Sequence, residues 1–313
     1  MSRAHSRKIA VSAETICRND WLREMLSKEL ADFQITFRDL SKLCTESLLA
    51  ELLSSSSGLV VGKETVSAAL LGRVPNLKMV AKYGVGLDNV DVEACQRAGV
   101  TLSYSAGVNA DSVAEHTLGL MLSLVRNIGL TSKLLGQGDW RKDGGRDLGS
   151  LTVGIVGFGN IGLRVGRLVR AFGCTVQGTD ILDKGSELAS VEGVQVDLDT
   201  LLKSSDVCTL HVPLTAATRC LINGEKLSLM KSNAYLINTS RGGVIAQEDL
   251  KTALKNKTIR GAALDVFQEE PLLDKDLYSL DNFIGTPHIA AGTREAREAM
   301  AKSVIEAIKR FYG

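Results

Sequence analysis

Thr152-Val-Gly-Ile-Val-Gly157-Phe-Gly159-Asn160-Ile161-Gly162 is the stretch from which the rest of the chain is read. A mostly apolar, strand-like run leads into a G-x-G-x-x-G turn, and Leu163 to Phe172 continues with helical spacing. Strand, glycine turn and helix in that order form a cradle for a diphosphate. Gly157 permits the tight turn, Gly159 lets the backbone approach the anion, and Gly162 lets helix and strand pack closely. Asn160 and Ile161 open the helix, whose N-terminus faces negative charge. A second apolar run, Cys174 to Thr179, ends in Asp180, 18 residues beyond Gly162. A carboxylate there accepts hydrogen bonds from an adenosine ribose and repels a 2′-phosphate, which points to a dinucleotide site preferring NAD to NADP.

Working outward, further strand-like runs near 206–211, 234–238, 259–263 and 283–285 alternate with helical patterns, so 151–156 and 174–179 belong to a parallel sheet. The first hundred residues alternate in the same way, through Lys8 to Val11, Gln34 to Phe37, Gly58 to Val61, Leu77 to Ala81 and Val100 to Leu102. The 313 residues therefore read as an α/β chain of two doubly wound parallel-sheet domains, the first smaller than the second. Between them, a helix starting near Asn109 runs into Leu118-Gly-Leu-Met-Leu-Ser-Leu-Val125, nearly apolar all round and so expected to be buried. Gly136 to Gly149, with five glycines and many charges, reads as a surface loop. Arg294 to Phe311 is helical, with Ala299, Met300, Val304, Ala307, Ile308 and Phe311 as its apolar positions.

The 37 Lys and Arg nearly cancel the 36 Asp and Glu, so no large field draws the molecule to nucleic acid or to an anionic membrane. Six cysteines without a C-x-x-C pair indicate a reduced compartment and no metal site. The basic opening has no apolar core, and no apolar run reaches the roughly 18 residues that a spanning helix needs. A short tail on a cytosolic protein is expected.

Three polar segments fall where strands of the second domain should end: Asn238-Thr239-Ser-Arg241-Gly-Gly, Asp265-Val-Phe-Gln-Glu-Glu270-Pro and Thr286-Pro-His288. The carboxyl ends of parallel strands line the ligand crevice of a doubly wound sheet. Hydride transfer from an alcohol carbon needs a base for the hydroxyl proton and a cation to hold a carboxylate and polarise a carbonyl. His with a carboxylate partner, and Arg, supply that set. On the residues alone His211 and His288 are comparable candidates, and spacing does not choose between Glu269 and Glu270. His116, on the apolar helix, reads as a core residue. The Gly-Gly after Arg241 suggests unusual backbone angles beside a ligand.

These segments resemble, in order and over most of the chain, the D-isomer-specific 2-hydroxyacid dehydrogenases. Lys82-Tyr-Gly84-Val85-Gly86-Leu-Asp-Asn-Val-Asp is similar to the family's substrate loop, and Ser112-Val-Ala-Glu-His to the start of its interdomain helix. His211-Val212-Pro-Leu-Thr, Asn238 to Gly243, Ala262 to Phe267, Glu269-Glu-Pro271 and Thr286-Pro-His288 follow its later signatures. The resemblance implies that Arg241 is the polarising, substrate-binding cation, His288 the acid–base and Glu270 its partner. Gly84, Val85, Gly86 and Asn109 would contact substrate. Asp265 would hold the nicotinamide carboxamide, and Val212 and Thr239 would lie along the NAD cofactor.

It further implies a Rossmann NAD-binding domain over 105–291 and a flavodoxin-like substrate domain formed by 1–104 and 292–313. A small anionic 2-hydroxyacid or 2-oxoacid as substrate is expected, and so is a homodimer through the larger domain, using the Leu118–Val125 helix and the 136–149 loop. Within the family the likeness runs towards the D-3-phosphoglycerate dehydrogenases, with hydroxypyruvate and glyoxylate reductases or D-lactate-type enzymes as alternatives. An NAD-sensing corepressor is the non-enzymatic one. Gly62-Lys63 stands where a phosphate-gripping Arg is common in that branch. Lys63 and Lys82 are left as either pocket cations or solvated charges.

Overall fold

The computed structural model describes residues 7–42 and 45–313, so the opening tail with His5, and Cys44, lie outside the described residues. Contacts divide the chain into two compact units: Met1–Asn109 with Arg294–Gly313, and Ala110–Thr293.

The first unit is built on β1 (Lys8–Val11), β2 (Gln34–Phe37), β3 (Gly58–Val61), β4 (Met79–Lys82) and β5 (Thr101–Ser103), in the order β2-β1-β3-β4-β5. All four pairings are parallel, which gives the flavodoxin-like arrangement. β3 and β4 are buried along their whole length because helices cover both faces of the sheet. On one face Leu49, Leu53, Leu70 and Leu77 pack together. On the other, Ile9, Leu22, Leu26 and Met79 meet Met300, Val304 and Ile308 of the helix Arg294–Tyr312. Each such side chain, fully buried, contributes roughly 1.5–3 kcal/mol before chain entropy is subtracted. That helix sits rotated from its expected face. Its buried stripe is Ala296, Met300, Ala301, Val304, Ile305 and Ile308, while Ala299, Ala307 and Phe311 are only half-buried.

β4 also differs from the apolar run read at Leu77 to Ala81. It continues into Lys82, which is only 7% exposed. A charged residue reads as a strand end in sequence, and only its tertiary partners allow it inside.

The second unit carries β6 (Thr152–Val156), β7 (Thr175–Thr179), β8 (Val194–Gln195), β9 (Val207–Leu210), β10 (Tyr235–Asn238), β11 (Gly261–Leu264) and β12 (Phe283–Gly285). Their order is β12-β11-β10-β9-β6-β7-β8, all parallel. The chain reverses direction between β6 and β9, which opens the crevice at the carboxyl ends of these strands. β8 was not visible in the sequence. It is a two-residue edge strand with both residues exposed, so it has no apolar pattern to read. The helix Ala110–Val125 buries Leu120, Met121, Leu124 and Val125 against Val153, Ile155 and Ile237 of this unit's own sheet. No single described helix is long and apolar enough to cross a membrane; Ala110–Val125 and Ile128–Gly136 together, bent by 62°, pass by length and composition alone.

Candidate active site

The glycine turn after β6 is shaped by crowding from within. A Cβ on Gly157 would lie 2.6 Å from the His211 carbonyl oxygen, and its φ of +90° disfavours any other residue. A Cβ on Gly162 would lie 2.2 Å from the Gly157 carbonyl oxygen, so this helix approaches the turn as closely as backbone allows. Gly159 is different. A Cβ there would meet no protein atom within 4 Å, and Gly159 caps the helix Asn160–Ala171 with extended backbone. Protein packing does not demand glycine at that point, whereas a diphosphate drawn close to the helix N-terminus would. Asp180, just past β7, accepts from the Phe158 N–H (2.8 Å) through Oδ2 and from the Leu182 N–H (3.0 Å) through Oδ1. Its carboxylate is thereby fixed beside the turn. These residues fit a dinucleotide.

The loops after β10, β11 and β12 come together. Asn238, wholly buried, closes the first: its Nδ2 donates to the Arg241 carbonyl oxygen (2.9 Å), and its Oδ1 accepts from Ser240 N–H and Oγ. Arg241 is half-buried beside this knot, with Nη1 donating to the Ser240 carbonyl oxygen (2.7 Å). The two glycines that follow do not take the unusual angles expected of them. Gly242 is required because a Cβ there would sit 1.9 Å from the Phe267 carbonyl carbon, and Gly243 packs against Leu214. Thus the Arg241 loop lies directly on the loop that carries Glu270. The carboxylate of Glu270 bonds His288 Nδ1 at 2.8 and 3.0 Å and accepts from the Phe267 N–H (3.3 Å). His288 is about one-third exposed, and with Nδ1 engaged its Nε2 is the nitrogen left to exchange a proton.

His288 itself lies in the left-handed region, φ +53°, where a non-glycine residue needs support. Asp265 supplies it. Its carbonyl oxygen accepts from His288 N–H (2.8 Å), and its carboxylate accepts from Thr286 Oγ1 (2.6 Å) and from the N–H groups of Ile289 and Ala290 (both 2.9 Å). Burial pushes this carboxyl's pKa up, but bonds from His116, Thr286, Ile289 and Ala290 outweigh it, and the net shift is down. Asp265 was expected to reach a nicotinamide carboxamide. It is 0% exposed, and its carboxylate bonds the His288 loop through both oxygens. His116 is likewise not a plain core residue: half-buried, it bonds Thr286 Oγ1 through Nε2 (3.0 Å) and approaches Asp265 Oδ1 at 3.5 Å. Helix periodicity shows which face His116 occupies but not that a strand-end loop would come to meet it.

His211 separates from His288 on environment. Its Nε2 bonds Thr209 Oγ1 (3.0 Å), its Nδ1 is enclosed without a partner among the described residues, and burial lowers its pKa to about 3. It stays neutral at ordinary pH. Val212 follows it, half-buried beside Gly157, and Thr239 is tied through Oγ1 to Thr117 Oγ1 (2.8 Å). Glu269 is exposed and does not contact His288 among the described bonds.

The remaining candidates lie in the first unit. Gly84 has φ +128°, and Gly84, Val85 and Gly86 are half-buried in the loop after β4. Asn109 is 7% exposed, and its Oδ1 has no hydrogen-bond partner among the described residues. A buried acceptor left open in this way suits a ligand donor. Lys82 is neither a pocket cation nor a solvated charge: its Nζ donates to the Gly62 carbonyl oxygen and to Asn89 Oδ1 (2.7 Å). Lys63 is exposed. Among the described residues no group of His, Cys, Asp and Glu is arranged to hold a metal ion.

Comparison with known proteins bears on this arrangement. Residues 118–290 match the family model of the D-isomer specific 2-hydroxyacid dehydrogenase, NAD binding domain. A D-3-phosphoglycerate dehydrogenase of Methanocaldococcus jannaschii is 42% identical over 85% of this chain, which spans about half (52%) of that relative's length. A hydroxypyruvate reductase of Thermotoga maritima is 40% identical over 85% of this chain and 88% of its own. The crystal structure of a D-lactate dehydrogenase from Aquifex aeolicus, complexed with NAD and lactic acid, superposes with a TM-score of 0.86 at 29% identity, covering 97% of this chain and 95% of that one.

Proposed function

The chain belongs to the D-isomer-specific 2-hydroxyacid dehydrogenases, a family of NAD-dependent oxidoreductases, and on that footing we propose that it interconverts a short D-2-hydroxyacid and its 2-oxoacid. The observation that carries the reading is the Glu270–His288 pair at 2.8 Å, with the neighbouring Arg241 loop packed directly on the loop that carries Glu270. NAD(H), when bound, supplies the hydride-accepting or hydride-donating ring; Gly157, Gly159, Gly162 and Asp180 would hold its diphosphate and ribose. In the reducing direction His288 Nε2 delivers a proton to the carbonyl oxygen, while Glu270 on Nδ1 keeps the ring oriented and balances its charge. Arg241 draws electron density towards that oxygen and pairs with the substrate carboxylate. The backbone N–H groups of Gly84 to Gly86 and the open acceptor of Asn109 are further candidates for substrate contact in the first unit.

Among substrates, hydroxypyruvate or glyoxylate is favoured over a phosphorylated acid, because Lys82 is turned inward onto Gly62 and Asn89. The phosphoglycerate reading remains as the second, supported by the 42% identity to the Methanocaldococcus jannaschii protein. The intact Arg, Glu and His favour turnover over an NAD-sensing role. A homodimer through the larger unit is retained in altered form. The Leu118–Val125 segment is mostly used by the unit's own core, which leaves Ile128, Leu135 and Trp140, 54%, 54% and 75% exposed, as the apolar contacts. We place the protein in the cytosol, where the thiols of its five described cysteines stay reduced.

The test is NADH oxidation against hydroxypyruvate, glyoxylate, pyruvate and phosphohydroxypyruvate, with His288→Ala as control. Turnover on one of them, lost in the variant, supports the reading. Tight NADH binding without turnover on any would overturn it in favour of a sensor.

A further inference from the structure

Beneath the loop that follows β4 lies a buried polar cluster that no step described so far uses. Lys82 and Glu64 are 7% and 6% exposed, and Ser12, at the end of β1, is fully buried. Lys82 Nζ donates to the Gly62 carbonyl oxygen and to Asn89 Oδ1, and Asn89 Nδ2 in turn donates to the carbonyl oxygens of Gly62 and Glu64. Glu64 Oε2 accepts from the Gly62 N–H (2.7 Å), with the Ser12 hydroxyl and the Lys82 charge also acting on that carboxylate. Burial raises the Glu64 pKa against those favourable contacts. Two backbone bonds, Val66 N–H to Asn89 O (2.8 Å) and Asp91 N–H to Val66 O (2.9 Å), extend the seam past the loop.

Desolvating a lysine costs several kcal/mol in general, so a buried one persists only where its partners compensate. This lysine grips two points at once: the end of β3 at Gly62, and the far end of the loop Tyr83–Asn89 at Asn89. Its chain passes close to Gly84, where a Cβ would stand 3.7 Å from Lys82 Cε.

We propose that Lys82 is a positioning residue for the substrate carboxylate, closing the Tyr83–Asn89 loop from within and setting a buried positive charge behind the backbone amides of Gly84 to Gly86, with Glu64 as its counter-charge. The inference rests on the proposed function, in which those amides receive the carboxylate. Two consequences of opposite sign follow. Removing the Lys82 charge weakens binding of the anionic substrate, and removing the Glu64 charge strengthens it. A unit charge set behind the groups that bind an anion, at an effective dielectric near 20, changes that anion's affinity by roughly an order of magnitude. Loss of packing alone would weaken binding in both variants.

The experiment compares the full-length protein with Lys82→Met and Glu64→Gln at mildly alkaline pH, measuring kcat and KM for hydroxypyruvate and KM for NADH. Lys82→Met should raise the hydroxypyruvate KM by about tenfold, with kcat and the NADH KM little changed. Glu64→Gln should lower the hydroxypyruvate KM. Unchanged KM in Lys82→Met, or a raised KM in both variants, would overturn the proposal. Should Lys82→Met fail to fold, the sign of the Glu64→Gln effect decides alone. A wild-type protein inactive on every 2-oxoacid would overturn the proposed function and this inference with it; an active wild type with an unaffected Lys82→Met overturns only the inference.

Discussion

Glu270 holds His288 Nδ1 through both carboxylate oxygens, at 2.8 and 3.0 Å, while the His288 backbone sits at φ +53°. The ring is thus aimed by its partner and its backbone is held by another residue, Asp265. These two supports separate into different measurements.

Glu270→Gln should keep the fold and NADH affinity but misorient the ring and leave its protonated form without a counter-charge. We expect kcat to fall by roughly 10²-fold, the scale of positioned acid–base catalysis. Steady-state kinetics alongside NADH titration checks this, and a kcat within threefold of wild type would remove Glu270 from the mechanism.

Asp265→Asn should act on stability. An amide nitrogen in place of one carboxylate oxygen turns a donor towards Thr286 Oγ1 or the N–H groups of Ile289 and Ala290, at a cost of about 2 kcal/mol. The sign with pH follows from the lowered folded pKa. The carboxylate's contribution is fully present above the unfolded value of about 3.9 and is lost as pH falls through the folded value. Urea denaturation of both proteins should therefore show the gap between them narrowing on acidification; a constant gap would count against the assignment.

Gly159→Ala and Gly162→Ala should part company. The added methyl of the first meets no protein atom within 4 Å, so the protein should fold normally yet bind NADH at least about tenfold more weakly. The second collides with the Gly157 carbonyl oxygen and should lower Tm by several degrees. Equal Tm losses in the two variants would contradict the geometry.

Asp180→Ser should shift the ratio of NADPH to NADH use, read as kcat/KM, upward by about tenfold or more, since the repulsive carboxylate is gone. A modest loss of stability should accompany it, because the Phe158 and Leu182 N–H groups lose their acceptor. No change in the ratio would take Asp180 out of cofactor selection.

Much of this protein was legible along the chain because the determining patterns are local. The turn from Gly157 to Gly162 needs only one strand and one helix, and the alternation of apolar runs with helical spacing follows from sheets covered on both faces. The polar segments holding Asn238 to Arg241, Glu270 and His288 stand out by their place after strands, but only the family resemblance separates Glu270 from Glu269 and His288 from His211. What failed was whatever depended on the company a residue keeps. The two exposed residues of β8 had no pattern, and Gly242 was misread because the Phe267 backbone that forbids a side chain lies on another strand's loop.

The same division holds for the charged groups. Sequence by itself determined the two parallel-sheet domains, the dinucleotide turn and the residue types available for acid–base work. Only the tertiary structure decided that Lys82 is turned inward, that Asp265 anchors the His288 loop, that His116 joins it, and that His211 is too enclosed to carry a proton at ordinary pH. The reason is physical: burying a charge or an imidazole is costly or tolerable according to the donors and acceptors brought to it, and here those arrive from residues that are distant in the chain.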